Sequence, residues 1–205
     1  MSKRENSNQT NNVYDKVVFF ATGNINKFNE ARIILSPYGI SVGMLRMKGD
    51  EIQSDNLKEI AQTSALNAYK RTHLPIFVED AGLFIESLNG FPGPYAAYAY
   101  KTIHNKGILK LMENQPDRRA KFQSVIAYYK PNLCEPECFK GESKGEITLT
   151  ERKLQGKTPF GFDPIFQPAG CKKTFAEMPI EEKNGFSHRA MVIHKFAEWY
   201  KTKNI

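Results

Sequence analysis

The stretch VFFATGNINKFNEARIIL fills residues 18–35. Its start, taken with Val17, reads as a short buried strand over residues 17–21. Phe28, Ala31 and Leu35 then recur at helical spacing, with Ile34 beside them. Between strand and helix lies the turn Thr22-Gly23-Asn24-Ile25-Asn26-Lys27. A strand that feeds directly into a helix leaves the backbone N–H groups of its turn at the positive end of the helix dipole. Gly23 lets an anion approach the backbone, Thr22, Asn24 and Asn26 add short polar groups, and Lys27 adds a positive charge on a flexible stem. That combination suits a phosphate, although the turn lacks the Gly-x-x-x-x-Gly-Lys-Ser/Thr pattern of a P-loop. The bland alternative is a tight turn closed by an asparagine cap.

Working outward, the helix stops at Ser36-Pro37-Tyr38-Gly39, and a short strand follows over residues 41–47. A polar loop at residues 49–54 leads into a second helix. Leu57, Ile60, Ala61, Ser64, Ala65 and Ala68 form its narrow inner face, and Asn56 with Glu59 is a candidate capping box. Pro75-Ile76-Phe77-Val78 is another buried strand, running into Glu79-Asp80-Ala81-Gly82 and Leu83-Phe84-Ile85. After the loop Asn89-Gly90-Phe91-Pro92-Gly93-Pro94, a helix is expected over residues 97–112, bent near Gly107. Two long strands are expected at residues 119–130 and 139–151, then a Gly/Pro-rich aromatic loop, a short strand at Ile165-Phe166 and a last helix. Ser187 caps that helix, and Ala190, Ile193, Ala197 and Tyr200 form its buried stripe. This order predicts an α/β class protein with a mixed sheet flanked by helices. Residues 1–12 read as a solvated, mobile tail ahead of a single domain over residues 13–205.

With 205 residues, 40% hydrophobic and 25% charged, the composition is that of an ordinary globular chain. No apolar run approaches the ~20 residues that a membrane span needs, so no membrane partner is expected. Cys134, Cys138 and Cys171 are too few for a disulfide scaffold, which points to the reducing cytoplasm. The net charge of +7 suits a polyanionic partner. Lysines are interleaved with acids along the chain, however, and no basic block with aromatics stands out, so a nucleic-acid groove is disfavoured.

Three further constellations carry chemistry. Glu79-Asp80 ends a buried strand, where carboxylates are costly unless a cation or donors meet them. Neighbours on a strand face opposite ways, so one of the pair faces a site and the other supports it. The alternative is that one of them caps a turn at Gly82. Glu51, in the polar loop, is another candidate acid, and carboxylates with a few waters and a phosphate are how Mg²⁺ is normally held. In GKTPFGFDPIF, residues 156–166, Phe160 and Phe162 flank Gly161 ahead of Asp163. Such rings either stack on a base or plug the core. In EEKNGFSHR, residues 181–189, Lys183, His188 and Arg189 gather around a helix start. Cations are disfavoured there, so something anionic or carbonyl-rich is expected opposite. A phosphate cradle, a metal site, an aromatic slot and a second set of cations together describe a nucleoside triphosphate pocket.

From about residue 17 to 200 the chain resembles the inosine triphosphate pyrophosphatase family (Ham1-like, non-standard purine nucleoside triphosphate diphosphatases), its archaeal branch in particular. ATGNINKFNEA, VEDAGLFIESLNGFPGPY, FGFDPIF, TFAEMPIEEKN and SHRA match that family's motifs in order. The resemblance implies hydrolysis of ITP, dITP and XTP to the monophosphate and pyrophosphate, with Mg²⁺ and as a homodimer. It implies a two-lobed, elongated α/β fold around a long mixed sheet, with the active cleft between the lobes. By position, Thr22, Gly23, Asn24, Ile25, Asn26 and Lys27 would hold the phosphates. Glu51 and Asp80 would hold Mg²⁺, with Asp80 also the proton acceptor. Phe160, Gly161, Phe162, Asp163, Lys183, His188 and Arg189 would line the nucleotide pocket.

Two positions depart from the family pattern. Many relatives carry Ser or Thr after the acidic pair, where this chain has Ala81 and retains only the backbone N–H. Some place a phosphate-directed Lys on the second helix, where this chain has Ser64. A Maf-like nucleotide pyrophosphatase is the rival enzyme, disfavoured by the SHR motif. A nucleic-acid-binding module using the +7 charge is the rival of another class.

Overall fold

The structure is a computed structural model that describes residues 17–47, 52–154, 156 and 160–203. The tail over residues 1–12, and with it the start of the domain, lies outside the described residues, as does Glu51. Strand β1, Val17–Ala21, buries Val18 and Phe20. Helix α1, Ile25–Leu35, follows after the three-residue link Thr22-Gly23-Asn24. Strand β2, Ser41–Leu45, returns parallel to β1. Helix α2, Leu57–Thr72, crosses the other face and leads into strand β3, Ile76–Ile85, also parallel to β1.

The expected strand and the acidic stretch after it are one continuous ten-residue element, which removes the reading of a turn cap at Gly82. It holds together because β5, Arg119–Tyr129, pairs antiparallel along its whole length. On its other edge β3 pairs with β1 only at Ile76 and Phe77, and with the two-residue strand β4, Pro92–Gly93, only at Leu83 and Phe84. Gly82 is required there, because a Cβ would lie 2.5 Å from the carbonyl oxygen of Gly93. Strand β6, Glu137–Ile147, pairs with β5, and β7, Phe166–Pro168, closes a seven-stranded mixed sheet of order β2-β1-β3-β5-β6-β7.

Helix α3, Ala96–Leu111, bends at His104, where φ is 54°, rather than at Gly107. Gly107 allows the bend to close: a Cβ there would sit 2.4 Å from Ile103. Helix α4, Ile180–Asn184, is one short turn ahead of α5, His188–Lys203. Ser187 caps α5 by accepting from the Ala190 amide at 3.3 Å. On α2, Asn56 accepts from the Lys58 amide, but Glu59 receives the Ser54 hydroxyl at 2.7 Å, so the expected reciprocal capping box is replaced by an exchange one step further out.

Two cores lie along the same face of the long strands. One packs α1 and α5, the latter through Phe196, on Val18, Phe20, Phe77 and Ile126. The other packs α3 and the C-terminal loop on Leu83, Ile85, Phe122, Ile165, Phe166 and Phe175. Helix α2 covers the opposite face, with Leu57, Ala61 and Ala65 on Val125 and Ala127. The small-residue face brings this helix close to the sheet. The expected α/β fold, a long mixed sheet flanked by helices, is the fold observed.

Candidate active site

The topology decides where a cleft must open. From β1 the chain moves to β2 on one side and then to β3 on the other, and both neighbours are parallel to it. Outside the carboxyl end of such a strand the two connections diverge and leave a crevice. Here β1 ends at Ala21 while β3 runs on, so its edge between Phe77 and Leu83 faces open space. The resulting cleft of about 520 Å³ is lined by Thr22, Gly23, Asn24 and Lys27 from the β1–α1 turn, by Glu79, Asp80 and Ala81 of β3, and by Ser64, Asn67 and Arg71 from α2. A space of that size takes a small-molecule ligand.

The turn is well ordered by its own side chains. The Asn24 carboxamide oxygen accepts from the amides of Asn26 and Lys27, at 3.0 and 3.2 Å. Thr22 Oγ1 accepts from the Asn24 amide at 3.1 Å. The asparagine-cap reading of this stretch is therefore real, and it coexists with a cleft-facing position for the same residues. No atom lies within 4 Å of a Cβ placed on Gly23, so the backbone there is open to a ligand.

The acidic pair splits as strand alternation requires. Asp80 faces the cleft and α2. Glu79, 5% exposed, turns its carboxylate toward α1 and α5. Lys27 Nζ lies 2.8 Å from Glu79 Oε2 and donates to the Glu79 carbonyl at 3.2 Å. Arg189 Nε donates to Glu79 Oε1 at 3.2 Å, and the Ser124 hydroxyl donates to the same oxygen. Burial alone would raise the Glu79 pKa. Arg189 and Lys27 overcome it and hold the carboxyl far below the usual range.

The chain of charges continues away from the cleft. Arg189 Nη1 donates to Glu30 Oε2 at 2.6 Å, Lys183 lies 3.6 Å from the other Glu30 oxygen, and Lys183 donates to Asp163 at 2.6 Å. Lys27, Glu79, Arg189, Glu30, Lys183 and Asp163 thus alternate in sign. The anionic groups expected opposite Lys183 and Arg189 are carboxylates of the chain itself. Burial opposes the ionised form of Glu30, but Arg189 and Lys183 still hold its pKa below normal. Phe160 caps this end, its centroid 5.9 Å from Lys183 Nζ and 5.5 Å from Arg189 Cζ. A second cleft of about 270 Å³ opens here, its lining including Asn26, Glu30, Lys153, Phe160, Asp163, Phe175 and Lys183.

The expected residues therefore fall into separate groups. Thr22, Gly23, Asn24, Lys27, Asp80 and Ala81 share the first cleft. Asn26, Phe160, Asp163 and Lys183 share the second. Arg189 lies buried in the charge chain that joins them. Ile25 is 47% exposed on the surface, and Gly161 turns the loop with φ +52°. The two phenylalanines that flank it divide the alternatives: Phe160 lines a cleft, while Phe162 is a core plug packed edge-on against Tyr100. His188 is 4% exposed and stacks on Phe122 at 4.7 Å. Burial, helped by the neighbouring Arg189 charge, keeps its imidazole neutral to well below its usual pKa.

Sequence reasoning missed Glu30, Ser124, Asn67 and Arg71. Glu30 carried a signal: it sits three residues after Lys27, on a line that runs on to buried Ile34, where a lone acid needs partners. Asn67 and Arg71 follow Ser64 at helical spacing. Ser124 carried no local signal, because only pairing with β3 brings it beside Glu79.

Among the described residues no cluster of three or more His, Cys, Asp or Glu is arranged to hold a metal, and no helix is long and apolar enough to cross a membrane. Fold and site together define an α/β protein whose cleft, at a switch point of its sheet, brings an open strand-to-helix turn and its lysine beside a carboxylate. The sequence places it more narrowly: residues 18–199 match the model of the Ham1 family, and the chain belongs to that family.

A dITP/XTP pyrophosphatase of Methanopyrus kandleri is 50% identical over 184 residues, covering 90% of this chain and 96% of that protein. One from Thermococcus kodakarensis is 46% identical over 182 residues, covering 89% and 96%. Among solved structures, the Staphylococcus aureus Ham1 protein superposes with a TM-score of 0.78 at 28% identity, covering 92% of this chain and 100% of that one. A HAM1 protein from Coxiella burnetii gives 0.79 at 28% identity, covering 91% and 98%.

Proposed function

We infer that the protein is a nucleoside triphosphate pyrophosphatase, which hydrolyses deaminated purine nucleoside triphosphates (ITP, dITP and XTP) to the monophosphate and pyrophosphate. The observation that carries this reading is the placement of two unlike clefts at the two ends of one charge chain. One has an anion-receptive turn, a lysine and a carboxylate, and the other an aromatic face beside cations and carboxylates. Relatives 46% and 50% identical in sequence bear the name dITP/XTP pyrophosphatase. Removing such nucleotides from the precursor pool is the corresponding role.

In this reading the triphosphate tail lies along Thr22, Gly23, Asn24 and Lys27, and the purine enters beside Phe160 and Lys183. Phosphoryl chemistry asks chiefly for positioning and charge stabilisation. Lys27 and the turn supply these on one wall, and Arg71 adds charge on the other. Asp80 accepts the proton of the attacking water. A single cleft carboxylate fits Mg²⁺, which is commonly bound through one or two carboxylates plus substrate phosphates rather than by a protein cage. Asp80, with Glu51, would hold the ion, whose chemistry is to neutralise charge on the phosphates. Ser64 leaves α2 without a lysine at that level, and Ala81 contributes only backbone. A 6-oxo group pairs with a donor that would meet the amine of adenine unfavourably, and a buried donor left unpaired discriminates strongly. A homodimer acting in the cytoplasm completes the proposal.

The test is pyrophosphate release from XTP, ITP, dITP, GTP and ATP, with and without Mg²⁺. XTP, ITP and dITP should exceed GTP and ATP in kcat/KM. Equal turnover of all five would remove the proposed specificity, and no release from any would remove the activity.

A further inference from the structure

Glu79 is buried, is among the residues that line the first cleft, and holds two cations at once through opposite oxygens. Lys27, on Oε2, comes from the turn assigned to the triphosphate, and Arg189, on Oε1, leads by way of Glu30 to Lys183 in the second cleft. Each cation can serve a ligand only to the extent that Glu79 releases or aims it. The lysine is the clearer case, because its ammonium meets Glu79 twice, 2.8 Å from the carboxylate and 3.2 Å from the carbonyl. A phosphate arriving at Gly23 and Asn24 must compete with that carboxylate for it. Ser124, fully buried on β5, donates to the oxygen that holds Arg189 and so fixes the carboxylate between its two partners.

We propose that Glu79 is a positioning residue that couples the two clefts: it restrains Lys27 against unspecific polyanions and fixes Arg189 for base selection. The proposal rests on the functional reading above, in assigning the first cleft to phosphates and the second to the base. Opposed effects follow. Without the Glu79 charge, Lys27 is left uncompensated beside the first cleft while Arg189 keeps only Glu30, and a bare polyphosphate binds more tightly. Arg189, held then by Glu30 alone, loses its fixed direction and base selection weakens. A residue of merely structural importance would loosen both together.

The experiment measures binding of inorganic tripolyphosphate by calorimetry in metal-free buffer, to wild type, Glu79→Gln and Ser124→Ala. Alongside it, the kcat/KM ratio of XTP to ATP is measured in magnesium buffer. Glu79→Gln should bind tripolyphosphate about ten-fold more tightly and lose about ten-fold of its preference for XTP. Ser124→Ala, a milder change that keeps every charge, should move both quantities the same way by a few-fold, and it decides the matter if Glu79→Gln does not fold. Unchanged or weaker tripolyphosphate binding overturns the restraint on Lys27, and an unchanged XTP preference overturns the link to the second cleft. Wild-type protein that binds tripolyphosphate yet releases no pyrophosphate from any purine triphosphate sinks the functional reading instead, and leaves the binding comparison standing.

Discussion

Asp80 and His188 show how one strand step or one helix start separates chemistry from support. Asp80 faces the cleft, whereas its neighbour Glu79 is committed to Lys27 and Arg189. Replacing Asp80 with Asn keeps the shape and removes the proposed proton acceptor. We expect turnover to fall by at least ~100-fold with an unchanged Tm, measured by pyrophosphate release and thermal denaturation; near-normal turnover would exclude the catalytic role. His188 is read from sequence as a ligand-facing cation, yet the structure buries it on Phe122 as a neutral ring. Its folded pKa lies below the unfolded value, so on acidification the unfolded chain takes up the proton first. Stability is therefore constant above about pH 6.5 and falls as the pH drops below it, by up to ~1.4 kcal/mol per pH unit for this one group. His188→Phe, which keeps the stack, should flatten that part of the pH profile in denaturant titrations at pH 7, 6 and 5. An identical slope in both proteins would show that His188 carries no such linkage.

Between elements, close backbone approach does what side chains do within them. Helix α5 meets β6 at Gly141, where a Cβ would lie 2.2 Å from the His188 carbonyl oxygen and 2.8 Å from the Val192 amide. The start of α5 carries Arg189, so this contact sets how far the guanidinium reaches toward Glu79 and Glu30. Gly141→Ala forces helix and strand apart, at a cost of about 1–3 kcal/mol, and should impair XTP hydrolysis. Gly23→Ala, with open space around its Cβ, serves as the control for stability and should leave the Tm in place. A stable, fully active Gly141→Ala variant would contradict the packing argument. The elements themselves were mostly legible. Strand β1, helices α1, α2 and α5 and the long pair β5 and β6 followed from apolar spacing and turn residues. The bend of α3 was misplaced because its cause is local backbone strain at His104, while Gly107 only makes room for it.

At the scale of the whole molecule, two cores share one face of the sheet, and the first cleft opens between the β1–α1 turn, β3 and the helix on the other face. The metal, in the proposed reading, is held jointly by Asp80 and the substrate phosphates, as Mg²⁺ commonly is. A chelator should therefore abolish pyrophosphate release while leaving the Tm within a degree or two. A large loss of Tm would mean that the ion is structural, as in proteins whose folding depends on metal. By itself the sequence determined the α/β class, the strand-to-helix turn with its asparagine cap and lysine, the acidic strand and the family to which they belong, because each is written in residues close together along the chain. Only the tertiary structure decided which acid faces the cleft, that Glu30 and Ser124 join Glu79 and Arg189, and that His188 and Phe162 are core. Those assignments depend on strand register and on helices brought together from opposite ends of the chain, and buried charges are stable only where such distant partners meet.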